Sequence, residues 1–260
     1  MTGALDAIPL SLLLPLTIAM VLACIELGFR LGRHRAAIAD PEKESSAGAM
    51  ASASLALLAF LLAFTFSFAA SRVEARRLVL VEEANAIGTT YLRTSVLPAA
   101  EREAARTWLR EYTDARLSAV QPGGLDEAVR RSVEIQGRLW EQAAGLAEAA
   151  PGSIMLGLYL EALNAMIDVH TTRLTEGARV RVPGVVWAVL YGLTILAMIE
   201  MGYQMGLGGR RRTLATPAFA LAFSTVILLI ADLDRAQQGS IRQSQEAMLE
   251  LRQSMAEPAR

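Results

Sequence analysis

Few side chains in this sequence are of the kinds that catalyse reactions or bind metals. The one cysteine, Cys24, and the two histidines, His34 and His170, lie far apart, so they form neither a disulfide nor a metal-ligand pattern. The sequence contains no Ser-His-Asp set, phosphate-binding loop, dinucleotide fingerprint or HExxH motif. The net charge of −1 gives no electrostatic reason to expect nucleic acid as a partner. We therefore expect no enzyme, no metal and no cofactor.

The most distinctive spacing is aromatic. Phe60, Phe64 and Phe68 recur every fourth residue, and because each helical residue turns by about 100°, they fall within about 80° of one another on one helix face. Ser67 and Ser71 fall within about 20° of Phe60. Large rings followed by small hydroxyls suit a pore, in which a narrow apolar constriction excludes water until it widens. The pattern predicts a gate at the phenylalanines, with the serines facing the same pore.

The same face continues along the helix to Glu82 and Asn85. Rings of such polar groups near the mouth of a pore would bias it toward cations. Two other interpretations stay open. Phenylalanines at this spacing also suit packing against a neighbouring helix or lipid, and Glu82 with Asn85 also suits a solvated face or contacts between subunits.

Hydrophobic runs are the elements that carry these residues. Of the 260 residues, 53% are hydrophobic and 20% are charged. The hydrophobic residues concentrate in four runs, and about 20 helical residues cross the hydrocarbon core of a bilayer. The sequence therefore predicts an all-α integral membrane protein with about four transmembrane helices. The runs are residues 8–29, 49–70, 182–207 and 214–230.

A segment rich in Glu, Arg and Ala separates the second and third runs. It shows no hairpin turn and no period-two alternation, and helix breakers divide it at Pro98, at Gln121-Pro122-Gly123-Gly124 and at Pro151-Gly152. The breakers predict helices over about 72–97, 101–120, 125–149 and 153–181. Because no breaker separates the second run from the first of these helices, we expect that run's helix to leave the membrane unbroken.

These patterns predict four parts of the chain. Residues 1–71 hold transmembrane helices one and two with a short basic loop, and 72–181 form an extramembrane helical domain. Residues 182–232 hold transmembrane helices three and four, and 233–260 form an amphipathic helical tail. We expect the tail to dock on the extramembrane helices.

Several stretches resemble a known family. Residues 60–72 are similar to the second transmembrane helix of bestrophin channels, with phenylalanines at similar positions and a closing hydroxyl–arginine pair. From about residue 50 to 252 the chain resembles more closely the bestrophin-like family of bacterial membrane proteins. The stretches that carry this resemblance are Leu62-Ala63-Phe64-Thr65-Phe66, Glu82-Glu83-Ala84-Asn85-Ala86-Ile87-Gly88, Gly202-Tyr203-Gln204 with Gly206-Leu207, and Asp232-Leu233-Asp234-Arg235 followed by Gly239, Ile241 and Ser244-Gln245.

The resemblance implies a bestrophin-like fold and a homopentameric ion channel in a bacterial inner membrane, with transmembrane helix two lining the neck of the pore. The partners it implies are other copies of the chain, the lipid bilayer and a permeating ion. The small residues of the second run also favour close helix approach and self-assembly. An alternative is a non-conducting sensor or scaffold whose extramembrane helices form an input bundle, although nothing in the sequence resembles an output domain.

Two charge patterns predict opposite orientations of the extramembrane domain. The short-loop cations Arg30, Arg33, Arg35, Lys43 and Arg210-Arg211-Arg212 all lie on one side of the membrane. By the positive-inside rule that side is cytoplasmic, which puts both termini and the extramembrane domain outside the cytoplasm. Arginines also flank the second and third runs on the other side, and the resemblance to bestrophins implies a cytosolic domain.

Overall fold

The structure is a computed structural model, which describes residues 8–36, 41–121, 123–176, 181–209, 214–235 and 244–256. Within these ranges the chain forms eight α-helices and one short 3-10 turn, and no β-strand. The predicted all-helical fold is confirmed. The helices are α1 (Leu10–Ala36), α2 (Pro41–Arg93), α3 (Ala99–Ser118), α4 (Leu125–Ala149), α5 (Ile154–Leu174), α6 (Gly184–Leu207), α7 (Ala215–Asp234) and α8 (Glu246–Ala256), and the 3-10 turn is Thr94–Val96.

Four helical segments are long and apolar enough to cross a membrane. They are α1, Gly48–Val96, α6 and α7, and each of them overlaps one of the four hydrophobic runs of the sequence. The fourth hydrophobic run, residues 214–230, is shorter than 20 residues, but the helix that contains most of it, α7, has 20. At about 1.5 Å per residue this length spans about 30 Å, which is enough for the hydrocarbon core.

α2 is one continuous helix of 53 residues. As expected from the sequence, it continues past the hydrophobic run at 49–70 without a break. It ends at Arg93, where the 3-10 turn and Pro98 follow, because proline has no N–H to continue the helical hydrogen bonds. The start of α5 is fixed by a cap, in which the Ser153 hydroxyl oxygen accepts a hydrogen bond from the backbone N–H of Leu156 at 3.3 Å.

The chain divides into two compact units. The first, called here the membrane unit, comprises Met1–Val73 and Arg181–Ile241. The second, called the helical unit, comprises Glu74–Val180 and Arg242–Arg260. α2 contributes its first part to the membrane unit and its last part to the helical unit.

Glycines bring α1 and α6 of the membrane unit into backbone contact. A Cβ atom added to Gly202 would overlap the carbonyl oxygen of Ile25 and lie 3.0 Å from its Cα, and one added to Gly206 would lie 3.0 Å from the Cα of Gly32. Gly28 is equally close to the backbone of α6, where its Cβ would lie 2.8 Å from the nitrogen of Tyr203. Both helices thus carry glycines four residues apart, the spacing that permits close packing of membrane helices.

The core of the membrane unit surrounds this contact. Side chains from all four of its helices are fully or almost fully buried together, and α1 packs mainly against α6 and α7. Burial of one face of each helix leaves the other face for lipid or for another subunit. The most deeply buried large side chains are those of Val21, Leu58, Leu190, Met198, Ile227 and Ile230.

Polar contacts join the ends of three helices in the membrane unit. Asp234, at the end of α7, accepts a hydrogen bond from the backbone N–H of Val182 through Oδ1 at 2.8 Å. Arg181 donates to the carbonyl oxygen of Asp234, and Arg235 donates through Nη2 to the carbonyl oxygen of Ile8 at 2.6 Å. These bonds tie the end of α7 to the segments that precede α6 and α1.

The helical unit has its own apolar core. Its members come from α3, α4, α5, α8 and the last part of α2, and they include Ile87, Leu109, Ile135, Leu139, Leu163 and Met166. α8 buries Met248 and Met255 in this core. Two side chains hold its end, because Tyr91 Oη and Arg110 Nε both donate to the carbonyl oxygen of Met255, at 3.2 and 3.0 Å. Residues 236–243 and 257–260 of the predicted tail lie outside the described residues.

The glycine contact generates a testable prediction. Gly202→Ala places a methyl group against the backbone of α1, so the helices must separate, and overpacking of this kind costs about 1–3 kcal/mol. We expect a lower melting temperature and a lower yield of folded protein, measured by thermal unfolding in detergent.

Gly192→Ala is the matched control. Gly192 is also in α6, but nothing lies within 4 Å of the position of an added Cβ, so this variant should melt at or slightly above the wild-type temperature. Equal melting temperatures for the two variants would contradict the close approach of α1 and α6.

Candidate functional site

The membrane part of α2 has one buried face and one exposed face. Leu58 and Thr65 are buried in the membrane unit, at 0% and 3% exposure, whereas Phe60 and Phe64 are 67% and 65% exposed. The Thr65 hydroxyl donates to the carbonyl oxygen of Leu61 at 2.7 Å, so the buried hydroxyl has a hydrogen-bond partner. The two predicted gate residues Phe60 and Phe64 therefore lie on a surface that the described residues of their own unit leave largely uncovered.

Phe68 differs from the other two phenylalanines. Its side chain is half-buried and packs against the core of the membrane unit. The guanidinium carbon of Arg72 lies 4.9 Å from the centre of its ring, within the range of a cation–π interaction. Phe68 thus lies at the edge of the exposed face, held on one side by its own subunit.

Ser67 and Ser71 are both exposed. Ser71 Oγ donates to the carbonyl oxygen of Phe68 at 2.8 Å, which leaves the lone pairs of its oxygen free to accept hydrogen bonds. The structure therefore brings these two hydroxyls onto the surface of the membrane unit together with Phe60 and Phe64.

Glu82 and Asn85 belong to the helical unit, where both are exposed on α2. Leu78 and Val81, on the same stretch of α2, are also exposed, at 60% and 40%. No group of three His, Cys, Asp or Glu side chains in the described ranges could hold a metal ion. The exposed side chains of α2 are free to contact water, ions, lipid or another subunit.

The helical unit contains a buried ionic cluster that the sequence did not predict. Glu83, the neighbour of Glu82, is 0% exposed. Its Oε1 accepts from Arg116 Nε at 2.8 Å and from Tyr112 Oη at 3.5 Å, and its Oε2 accepts from Arg173. Gln136 Nε2 donates to the Tyr112 hydroxyl at 3.2 Å. A single carboxylate thus joins side chains from α3 and α5 to α2.

The arginines keep this buried carboxylate ionised. Burial by itself would raise the pKa of Glu83, but the imidazole of His170 and the charges on Arg173 and Arg116 outweigh it and lower the pKa to about 2. Burial raises the pKa of the Tyr112 phenol, and the negative charge of Glu83 raises it further. The cluster is therefore ionic at neutral pH.

One signal in the sequence could have located this carboxylate. Glu83 lies three residues after Leu80 and four before Ile87, and both are almost fully buried. A residue at these spacings shares the core-facing side of a helix, whereas Glu82 is turned away by about 100°. His170 is also buried, at 3% exposure, and neither of its ring nitrogens has a hydrogen-bond partner among the described residues.

Comparisons with known proteins identify the family. The family model of the bestrophin-like domain matches residues 16–248. The crystal structure of a bacterial bestrophin homologue from Klebsiella pneumoniae, carrying one substitution, superposes with a TM-score of 0.64 at 17% identity, over 95% of this chain and 97% of that one. A crystal structure described as a membrane protein gives a TM-score of 0.65 at 16% identity over the same shares of the two chains. No protein of curated description matches. The fold is therefore that of bestrophins, and the chain belongs to the bestrophin-like family.

Proposed function

We propose that this protein is a homo-oligomeric ion channel, most simply a pentamer, whose pore is lined by α2. The observation that carries the proposal is the exposure of Phe60 and Phe64 on a membrane helix whose other face is buried in its own unit. Membership of the bestrophin-like family supports it, since bestrophins are channels.

The two exposed rings supply the constriction. When several copies of α2 surround one axis, Phe60 and Phe64 of each copy meet there and form an apolar ring. A narrow apolar ring excludes water and therefore ions until it widens. Phe68 contributes to the same neck from the edge of the face, and Arg72 restrains its ring.

The polar residues line the hydrated part of the proposed pore. Ser67 and Ser71 present hydroxyls next to the rings, and Glu82 and Asn85 are exposed farther along α2. An ion that leaves bulk water needs such groups to replace part of its hydration shell. In this proposal the carboxylates of Glu82 favour the entry of cations.

The first prediction concerns assembly. Native mass spectrometry of the protein in detergent should detect an oligomer, and the bestrophin resemblance predicts five subunits. A monomer at every concentration tested would exclude the channel, because a pore on the exposed face of α2 needs several copies. A dimer with α2 facing lipid would favour the alternative of a non-conducting scaffold.

The second prediction concerns the gate. Phe64→Ala removes most of a ring from each subunit, so the constriction should wet more easily and leak ions at rest. A rise in ion flux from liposomes on the order of tenfold corresponds to a barrier lowered by about 1.4 kcal/mol. Because Phe64 is 65% exposed within its own chain, the fold of the subunit should survive.

Phe66→Ala is the control for the gate. Phe66 is turned by about 160° from Phe64 on the same helix and is 38% exposed. Its truncation should change stability without opening a leak. Equal flux from wild type and both variants, with the oligomers intact, would reject the phenylalanine gate. If Phe64 instead packs between subunits, its truncation leaves a cavity costing about 3–5 kcal/mol and the oligomer dissociates.

The third prediction concerns orientation in a bacterial inner membrane with four crossings. If the arginines of the short loops determine the orientation, the C-terminus lies outside the cytoplasm. A reporter fused after Arg260 should then show the non-cytoplasmic pattern. A cytoplasmic location of the reporter would mean that the arginines flanking the second and third hydrophobic runs on the other side, such as Arg72 and Arg77, determine the orientation instead.

A further inference from the structure

An open cavity lies near the end of α1 in the membrane unit. Its volume is about 450 Å³, and the side chains that line it are Glu26, Phe29, Arg30, Arg33 and His34. A cavity of this size is typical of a site for a small ligand. Phe29 is 4% exposed, whereas Arg30, Arg33 and His34 are exposed. The cavity therefore combines one buried apolar side chain with basic groups that a ligand can reach.

Hydrogen-bond donors predominate among these lining groups. Arg30 and Arg33 each carry five N–H donors and no acceptor, and His34 carries at least one N–H in every protonation state. Glu26 accepts from Arg30 Nε at 2.8 Å. This bond holds the guanidinium of Arg30 in place but uses only one of its donors, and the Arg30 side chain remains 76% exposed. Such a set of donors fits an anion with several oxygens, because the planar guanidinium matches the geometry of a phosphate group.

An exposed apolar stripe on the same helix leads to the cavity. Leu16, Leu27 and Leu31 are 54%, 50% and 50% exposed. Because each helical residue turns by about 100°, these leucines share a sector of about 100° with Arg30 and His34. The helix rises by about 16 Å from Leu16 to Leu27, close to the ~15 Å of hydrocarbon in one leaflet of a bilayer. An acyl chain can thus lie along the leucines while the headgroup of the same lipid reaches the basic side chains.

We propose that the cavity binds the phosphate group of an anionic phospholipid, with an acyl chain along the leucine stripe. The phosphate oxygens accept hydrogen bonds from Arg30, Arg33 and His34. A soluble phosphate has no apolar part to bury against the leucines, and a zwitterionic lipid carries a cationic group that the two arginines repel. The site therefore favours a lipid with net negative charge. The inference rests on the membrane unit alone and does not depend on conduction through α2.

The test uses the full chain in detergent, with phosphatidylglycerol and phosphatidylcholine as the probes. Native mass spectrometry counts the lipids that stay bound, and thermal unfolding measures how far each lipid stabilises the fold. One arginine near a membrane surface gains about fivefold in affinity for anionic lipid, so we expect phosphatidylglycerol to bind at least about fivefold more tightly than phosphatidylcholine. Equal retention of the two lipids, with equal melting temperatures, would overturn the proposal.

Arg33→Gln and Arg35→Gln are a matched pair that locates the site. Each removes one positive charge from the last turn of α1. Only Arg33 lines the cavity, and Arg35 is turned from it by about 160° around the helix. Arg33→Gln should weaken the binding of phosphatidylglycerol by about fivefold, and Arg35→Gln by less than about twofold. An equal loss in the two variants would mean only a general attraction of anionic lipid to a basic surface, and the proposal would fail.

Glycerol phosphate distinguishes a lipid from a soluble ligand. It carries a phosphate on glycerol but has no acyl chain to bury on the leucine stripe. At the concentration at which phosphatidylglycerol saturates the protein, it should neither raise the melting temperature nor displace the bound lipid. Displacement at equal concentration would mean that Leu16, Leu27 and Leu31 contribute nothing to binding and that the ligand is a soluble phosphate, contrary to the proposal.

Discussion

The backbone contact between α1 and α6 determines how the membrane unit is built. Hydrophobic burial does not distinguish a neighbouring helix from lipid inside a bilayer, so membrane helices associate where their shapes allow close contact. Gly28 and Gly32 on α1 and Gly202 and Gly206 on α6 provide that shape, because a side chain at any of the four would meet the backbone of the other helix. Leu190 and Met198 of α6 belong to one buried cluster with side chains of α1, α2 and α7.

The helical unit is built on a different principle. It combines an apolar core with the buried carboxylate of Glu83, and a buried ion pair of this kind is weak evidence for stability. Glu83 can be buried only when Arg116 and Arg173 reach it, which requires α3 and α5 to take one position along α2. Leu80 and Ile87 on the same face would tolerate several positions, because apolar contacts are not directional. We therefore expect Glu83 to specify the register of these helices more than it contributes free energy.

The features that could be predicted from the sequence are those that depend on residues close together in the chain. Hydrophobic runs of about 20 residues and the breakers at Pro98 and Pro151-Gly152 identified the helices. The length of a hydrophobic run and the effect of a proline on a helix both depend on the local sequence only. The partners of Glu83 escaped prediction because they lie 33 and 90 residues away from it in the chain. The stretch from Gly202 to Leu207 was noticed only as a family resemblance, since its role depends on the backbone of α1. The half-buried position of Phe68 likewise depends on the core of the folded unit.

A phenylalanine exposed on a membrane helix can contact lipid, so its exposure alone does not indicate a pore. The polar groups next to Phe60 and Phe64 distinguish a face toward lipid from a face toward water. A hydroxyl that faces hydrocarbon loses its hydrogen bonds to water, and Ser71 offsets only part of that loss by donating to the carbonyl oxygen of Phe68. On a face toward lipid, the hydroxyl oxygens of Ser67 and Ser71 would find no donors in the hydrocarbon. On a face along a water-filled path, they can accept hydrogen bonds from water. Rings and hydroxyls on one exposed face therefore favour an axis shared by several copies of α2 over a surface turned toward lipid.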